Sequence, residues 1–212
     1  MNEHGELVLF GAGGHAAVVA DAAVAMGFVL VGVVDAMRPV TDGRPPFGGV
    51  PWLGPPDDPD PSLHELLGRG ARVHAAVGDA GLRRRWLGDH ADHAACIVHP
   101  TAVVSPSATI GEGVFIGPRA VVNARAVIGT GTIVNTAAIL EHDARTGEFC
   151  HLAPGAIVLG NAMVGDQTLV GSNATILPAI TVGHRTTIGA GSVVTSDLPD
   201  DVRAFGNPAR DR

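Results

Sequence analysis

The sequence contains no tyrosine, and Phe and Trp together make up only 4% of its 212 residues. A core so poor in rings must be filled by Val, Ile, Leu and Ala, which suits closely stacked strands better than a pocket-lined bundle. Cysteine is equally scarce. Two residues cannot found a disulfide framework, so a reducing compartment is expected. Basic residues are outnumbered, 14 against 21 acidic, for a net charge of −7. That balance excludes a general nucleic-acid binder, which needs a basic footprint. The one basic run, Arg83-Arg84-Arg85, reads as a solvated helix face. Long apolar runs are also missing. The nearest candidate, Ala16 to Val34, has Asp21 in its middle, at a membrane cost of ~2.5–3.5 kcal/mol, and is interrupted by Gly27 and Gly32. A helix followed by a buried strand accounts for it better. The start, Met1-Asn2-Glu3-His4-Gly5-Glu6, lacks the basic n-region of a signal peptide. These absences predict a soluble, cytoplasmic protein with no membrane insertion and no nucleic-acid partner.

What is present is a repeat. Hydrophobic residues reach 46%, too many for a disordered chain, and glycine is used 29 times, roughly twice the usual ~7%. Stepping by six from Val98 gives Val104, Ile110, Ile116, Val122, Ile128, Val134, Leu140 and Thr146. The series runs on through Leu152, Val158, Val164, Val170, Ile176, Val182, Ile188 and Val194. Only Thr146 is not aliphatic. The next position is glycine at 111, 117, 129, 147, 165, 171, 183 and 189, and alanine dominates two residues before each aliphatic.

A period of six fits neither a helix nor simple alternation. It predicts a triangular solenoid of short strands with a turn at each corner, in which Gly and Asn supply positive φ. Three hexapeptides make a coil of 18 residues, so residues 18 apart stack at the ~4.8 Å strand spacing. Five to six coils are expected. Cys96 and Cys150 then lie three coils apart on one column, roughly 14 Å and beyond disulfide reach, so both should be reduced.

The N-terminal part reads differently. Leu7–Phe10 is a buried strand, followed by Gly11-Ala12-Gly13-Gly14-His15-Ala16 and an apolar helix with Val18, Val19, Ala22, Ala23 and Met26 inward and Gly27 as its stop. Residues 28–34 form a second strand ending at Asp35. This is a βαβ unit with a G-x-G-x-x-A turn, whose glycines let the backbone approach a phosphate at a helix N-terminus. Three occupants are compatible with it: NAD(P), no ligand at all, or a nucleotide or nucleotide-sugar. The domain ends near residue 93, too short for two mononucleotide-binding halves, which disfavours NAD(P). Residues 36–61 read as an extended connection, Ser62-Leu63-His64-Glu65 as a capping-box helix start, Arg72–Val77 as a third strand and residues 80–90 as a further helix. The expected domains are therefore 1–93, α/β and half-Rossmann, and 94–212, an all-β helix with a C-terminal tail.

One solenoid turn departs from the aliphatic-glycine pattern by setting charged residues and a histidine where eight others have glycine after the stepped residue: Leu140-Glu141-His142-Asp143. Asn135, Thr136, Thr146 and His151 lie in the same coil. Imidazole is the usual general base near neutral pH, and a neighbouring carboxylate fixes its tautomer. Gly160 lies 18 residues past His142, where its N–H could face a developing oxyanion.

The hexapeptide run, the G-A-G-G-H-A turn, the E-H-D turn and Gly206-Asn207-Pro208-Ala209 together resemble the hexapeptide-repeat acyltransferases, in the subfamily of sialic-acid O-acetyltransferases and nucleotide-linked amino-sugar N-acetyltransferases. The resemblance implies a left-handed β-helix, a homotrimer with acetyl-CoA in the groove between subunits, and a role in polysaccharide biosynthesis. It also implies His142 as base with Asp143 orienting it, and Gly13, Gly14, His15 and Asp35 facing the acceptor's nucleotide. His151, Gly160, Ser172, Ala190, Pro208 and Ala209 would contact acetyl-CoA. Ser172, Ala190 and Pro208 are spaced by 18, one column if the last coil keeps register. The activity implied is transfer of acetyl to the amine of a nucleotide-linked amino-sugar, without a metal. The alternatives are O-acetylation of sialic acid or a related sugar and, more remotely, a zinc protein like the γ-type carbonic anhydrases. The second would need three histidines meeting at a subunit interface; His142 and His151 are nine apart and the only later histidine is His184, so the sequence offers no convincing third ligand.

Overall fold

Leu7, Val8 and Leu9 are fully buried because the strand that carries them, β1 (Glu6–Phe10), is the middle of a three-stranded parallel sheet. The computed structural model describes residues 4–37 and 47–211. On one side of β1 runs β2 (Val29–Val34), on the other β3 (Arg72–Ala75). Their registers pair Phe10 with both Val34 and Ala75, so all three strands end at the same edge. The connection through α1 (Gly14–Met26) stops at Gly27, whose φ of 105° is left-handed. Ala16, Val19, Ala22 and Ala23 face the sheet, but Val18, expected inward, is 38% exposed. The buried face is an alanine-valine stripe one position away from Val18.

Of the connection expected over 36–61, residues 38–46 lie outside the described residues. Its far end runs beside β2, where Leu53 N–H donates to the Val33 carbonyl. The helix α2 (Ser62–Gly68) starts without the expected capping box. Pro61 is the cap residue, and Asp60 Oδ1 instead accepts the Ser62 N–H at 2.9 Å. The next helix, α3 (Ala80–Gly88), is capped by Asp79, which accepts from Leu82 N–H at 2.8 Å. Within α3 the expectation for Arg83 fails. It is 1% exposed, while Arg84 and Arg85 lie in solvent.

The chain divides into two units, 1–100 and 101–212. The change comes later than residue 93 because Ile97, fully buried on the strand Ile97–Val98, packs against α1.

In the second unit every six residues deliver a two-residue strand, and each strand hydrogen-bonds to those 18 before and after it. Thus Ile139–Leu140 pairs with Val121–Val122 and with Ile157–Val158. Three parallel faces result, making a β-solenoid of about 6 turns, the left-handed β-helix expected from the sequence. In chain order the first face carries Ile133–Val134, the second Ile139–Leu140 and the third Arg145–Thr146. The stepped aliphatics point inward. Val134, Leu140, Leu152 and Val158 are fully buried, as are Ala138, Ala144, Ala156 and Ala162 beside them.

The repeated glycines serve a purpose other than the expected one. From Ile110 to Ile188 positive φ falls three residues after each stepped position, and glycine holds that place only at 113, 131, 155 and 191. Elsewhere ordinary residues adopt it, Arg125 at 60°, Asp143 at 61° and Asn161 at 60° among them. A hydrogen bond to the preceding coil enforces it, as when Asp143 N–H donates to Ala124 O at 3.0 Å. The glycines directly after the aliphatics are required by crowding. A Cβ on Gly165 would lie 2.6 Å from the Gly183 carbonyl carbon, and one on Gly171 2.6 Å from the Ala190 nitrogen.

The last coil loses register. Val182 bridges Leu198 and Ile188 pairs with Ala204, steps of 16 rather than 18, because the turn after Val194 is two residues short. The chain then folds back as a hairpin, Arg203–Gly206 against Ala209–Asp211, around a cis Asn207–Pro208 bond. Cys96 and Cys150 form no disulfide with each other.

Candidate active site

His142 and Asp143 sit on the corner between the second and third faces, held there by the strands on either side. The imidazole Nδ1 is 2.9 Å from Asp143 Oδ2. An ionised carboxylate only accepts, so Nδ1 carries the proton and Nε2 presents its lone pair. The adjacent Glu141 carboxylate accepts the His142 backbone N–H at 3.3 Å.

Asp143 has a second partner. Arg125, one coil earlier on the same corner, donates Nε–H to Oδ1 at 2.7 Å and Nη2–H to Oδ2 at 2.8 Å. This fork and the imidazole hydrogen bond hold the carboxyl far below the ordinary carboxylate range, with Arg125 the larger cause. Arg125, Asp143 and His142 therefore form one chain of contacts in which Asp143 Oδ2 is shared. Sequence reasoning missed Arg125, although subtracting 18 from Asp143 finds it.

Gly160 lies under the ring. A Cβ placed on it would be 2.7 Å from both Cε1 and Nε2 of His142, so the imidazole packs where a side chain would otherwise stand. Asn161 N–H, next in the turn, donates to His142 O at 3.1 Å. The N–H of Gly160 occupies a turn position whose donor is met by a side chain at Thr136, His142, Glu148, Asp166 and His184. Among the described residues no acceptor meets it at Gly160. An open donor thus lies one coil from an imidazole with a free lone pair.

The other polar residues of this coil do not join them. Asn135 pairs with His151, Nδ2 to Nε2 at 3.1 Å, on the first face, and Thr146 points into the prism, 4% exposed. Ser172 and Ala190 stack on the corner between the first and second faces, Gly191 N–H donating to Ser172 O at 2.8 Å. Pro208 does not continue their column. The shortened last coil puts residue 206 at that level, where Gly206 N–H donates to Ser192 Oγ at 3.0 Å. A groove of about 440 Å³ follows the third face past Arg145, Met163 and Thr181 but ends on His184 rather than His142. His142 itself is 54% exposed. Among the described residues no three His, Cys, Asp or Glu side chains are grouped as metal ligands. No helix among them is long and apolar enough to cross a membrane.

In the first unit the glycine turn divides by role. Gly11, at φ 112°, faces Val77 Cγ1 and Ala76 O at 2.8 and 2.9 Å from an added Cβ, so it is needed for packing. Gly13 and Gly14 are exposed with open space where a Cβ would be, leaving room for a ligand. Asp35 braces the turn, Oδ2 accepting the Ala12 N–H at 2.7 Å. His15 is mostly buried at the start of α1, and burial together with the Arg83 charge lowers its pKa to about 4. His74, fully buried with Nδ1 2.9 Å from Ala95 O, is lowered to about 4 by burial first, with the neighbouring His15 and then the Arg83 charge acting in the same direction.

Residues 6–89 match the PglD N-terminal domain and residues 161–196 the bacterial transferase hexapeptide (six repeats). Curated relatives align over short stretches only. A galactoside O-acetyltransferase of Lactococcus lactis is 54% identical over 33 residues, 16% of either protein. Solved structures align along nearly the whole chain. One from Caulobacter crescentus, in complex with CoA and GDP-perosamine, is 37% identical over 98% of this chain and 97% of its own, at a TM-score of 0.87. A histidine-to-asparagine variant of perosamine N-acetyltransferase from the same organism, again with CoA and GDP-perosamine, is 38% identical over 98% and 96% (TM-score 0.87). The acetyltransferase domain of PglB from Neisseria gonorrhoeae, in complex with acetyl coenzyme A, is 35% identical over 98% of both chains (TM-score 0.88). With both halves matched in order and at this identity, the chain belongs to the hexapeptide-repeat acyltransferases, in the branch formed by the perosamine and PglB-type nucleotide-sugar N-acetyltransferases.

Proposed function

We propose that this protein transfers the acetyl group of acetyl-CoA to the amine of a nucleotide-linked amino-sugar. The observation that carries the reading is the imidazole of His142, fixed by Asp143 as the Nδ1–H tautomer and packed over Gly160 with Nε2 open. In this reading the amine nitrogen attacks the thioester carbonyl carbon while Nε2 accepts its proton. The Gly160 N–H donates to the tetrahedral oxyanion. When the intermediate collapses the C–S bond breaks, and the imidazolium returns its proton to the departing thiolate. Asp143 steadies the imidazolium between these steps, and Arg125 holds Asp143 in place. Direct transfer of this kind calls for neither an acyl-enzyme nor a metal.

The acceptor's phosphates are assigned to Gly13 and Gly14, with His15 behind them and Asp35 bracing the turn. Acetyl-CoA is assigned to a groove between protomers of a homotrimer, touching His151, Gly160, Ser172, Ala190 and the Pro208–Ala209 hairpin. The exposure of His142 supports a site that a neighbouring protomer completes. Both substrates are charged, activated metabolites, in keeping with a cytoplasmic place in polysaccharide assembly. The match to a galactoside O-acetyltransferase favours one second reading, in which the same Nε2 takes a hydroxyl proton from a free sugar.

The test is turnover of acetyl-CoA against UDP-, GDP- and dTDP-linked 4-amino-sugars, and against free sialic acid and galactosides, followed by thiol release. One of the nucleotide-linked amines should be the best acceptor. His142→Ala should lose at least ~10²-fold in kcat. Turnover confined to free sugars, or an alanine variant as fast as the wild type, would overturn the reading.

A further inference from the structure

The sequence places Arg83 in a solvated basic run, yet it is 1% exposed inside the first unit. Burying a guanidinium is costly, so its placement needs a reason. Its Nη1 donates to the carbonyls of Val77 and Gly78, both at 2.9 Å, pinning the loop that follows β3. That loop is the surface against which Gly11 packs, through Val77 Cγ1 and Ala76 O. On its other side the glycine turn is tied by Ala12 N–H to Asp35 at the end of β2. The turn is thus braced from both neighbouring strands, and one brace is a buried cation.

Bracing alone does not require a charge, since an amide could donate to the same carbonyls. The charge is felt at the turn itself, where it helps keep both His15 and His74 neutral. With both histidines neutral, the buried charge behind the turn is that of Arg83, while Gly13 and Gly14 at the N-terminal end of α1 stand open to solvent.

We propose that Arg83 is the built-in countercharge of the glycine turn, a positioning residue through which the first unit holds the phosphates of its acceptor. The proposal rests on the reading of that acceptor as nucleotide-linked. It predicts that the Arg83 charge governs recognition of the diphosphate and leaves the nucleoside and acetyl-CoA untouched.

The experiment compares full-length wild type, Arg83→Lys, Arg83→Gln and Arg83→Met. Binding of GDP, UDP and dTDP is measured by calorimetry and that of the matching nucleosides by ligand-detected NMR. Arg83→Gln should bind the preferred diphosphate at least ~10-fold more weakly, with nucleoside affinity and the KM for acetyl-CoA within about twofold of wild type. Arg83→Lys should recover most of the loss. Should Arg83→Met fail to fold, the Gln and Lys variants still separate charge from bracing. Diphosphate affinity unchanged in Arg83→Gln, or diphosphate and nucleoside affinities falling by the same factor, would overturn the proposal alone. A wild-type protein that binds none of the three diphosphates would overturn it together with the nucleotide-linked acceptor.

Discussion

Adding one methyl group at Gly160 tests the site at its tightest contact. In Gly160→Ala the new Cβ starts 2.7 Å from both Cε1 and Nε2 of His142. Ordinary carbon contacts begin near ~3.5 Å, so ring and methyl must separate by roughly 0.8 Å. Gly160 belongs to the turning backbone, pinned where Asn161 N–H donates to His142 O and Ala179 N–H to Gly160 O. The ring is the part that can give, and it swings away on its Asp143 contact, carrying Nε2 off the path to the thioester. Misplacement of about 1 Å costs on the order of 10²-fold in rate, or about 2.7 kcal/mol of barrier. The fold should barely respond. Gly160 is not among the residues with positive φ, so alanine suits its backbone, and stability should stay within about 1 kcal/mol. The assay is kcat from thiol release with the best acceptor, beside thermal unfolding. A double-mutant cycle sharpens it: in a His142→Ala background the methyl has no ring to displace, and its effect on kcat should vanish. Wild-type kcat in Gly160→Ala, or an equal loss with and without His142, would refute the geometry.

Arg125→Gln should lower kcat several-fold, on the order expected for a loosened positioning contact. Wild-type kcat in that variant would show that Asp143 needs no second partner to hold the imidazole. Thr146→Val should stabilise the protein by about 1 kcal/mol or more and raise Tm by about 2–4 °C, because the buried hydroxyl has no partner and valine has its shape. Equal or lower Tm would mean the hydroxyl is satisfied. The last expectation concerns pH. His15 and His74 hold folded pKa values of about 4 against 6.5 unfolded, so unfolding takes up protons, and the stability present above pH 6.5 is lost as pH falls toward 4. At pH 5 the first unit should be weaker by a few kcal/mol, on the order of 3 per histidine for the full shift. Thermal unfolding with the same midpoint at pH 7.5 and pH 5 would contradict it.

How far the sequence could be read depended on whether a residue's neighbour lies at a fixed distance along the chain. In a solenoid it does. The step of 18 finds Gly160 beneath His142 before any coordinate is known, and the same arithmetic applied to Asp143 yields Arg125. The method fails where the count changes, and nothing about Thr195-Ser196-Asp197 announces that the turn has lost two residues, so Pro208 fell out of its column. It fails for a different reason in the first unit. Arg83 touches Val77 and Gly78 through a loop whose path is set by the packing of β3 against β1, and a run of three arginines carries no mark of which one turns inward. The coil's polar residues were mistaken for one cluster because nearness in sequence is not nearness on a prism. Asn135 and His151 stand on one face, Thr146 inside, and His142 on another corner.

The glycines give the clearest physical lesson about such a fold. Backbone freedom is the usual reason to expect glycine at a tight corner, yet arginine, aspartate, asparagine and alanine take the left-handed positions here, each held by a hydrogen bond to the preceding coil. What the stack cannot tolerate is a Cβ between two coils at the places, such as 129, 147, 165 and 183, where glycine directly follows the inward residue. The corner residues one and two places further on are therefore free to vary in chemistry while the backbone beneath them stays fixed. Two places after the stepped positions glycine occurs once, at Gly160, one coil past His142 on the same corner. A prism built for stacking alone has no reason to put it there. An imidazole that must lie over a bare main-chain amide does, because a Cβ at that place would meet the ring.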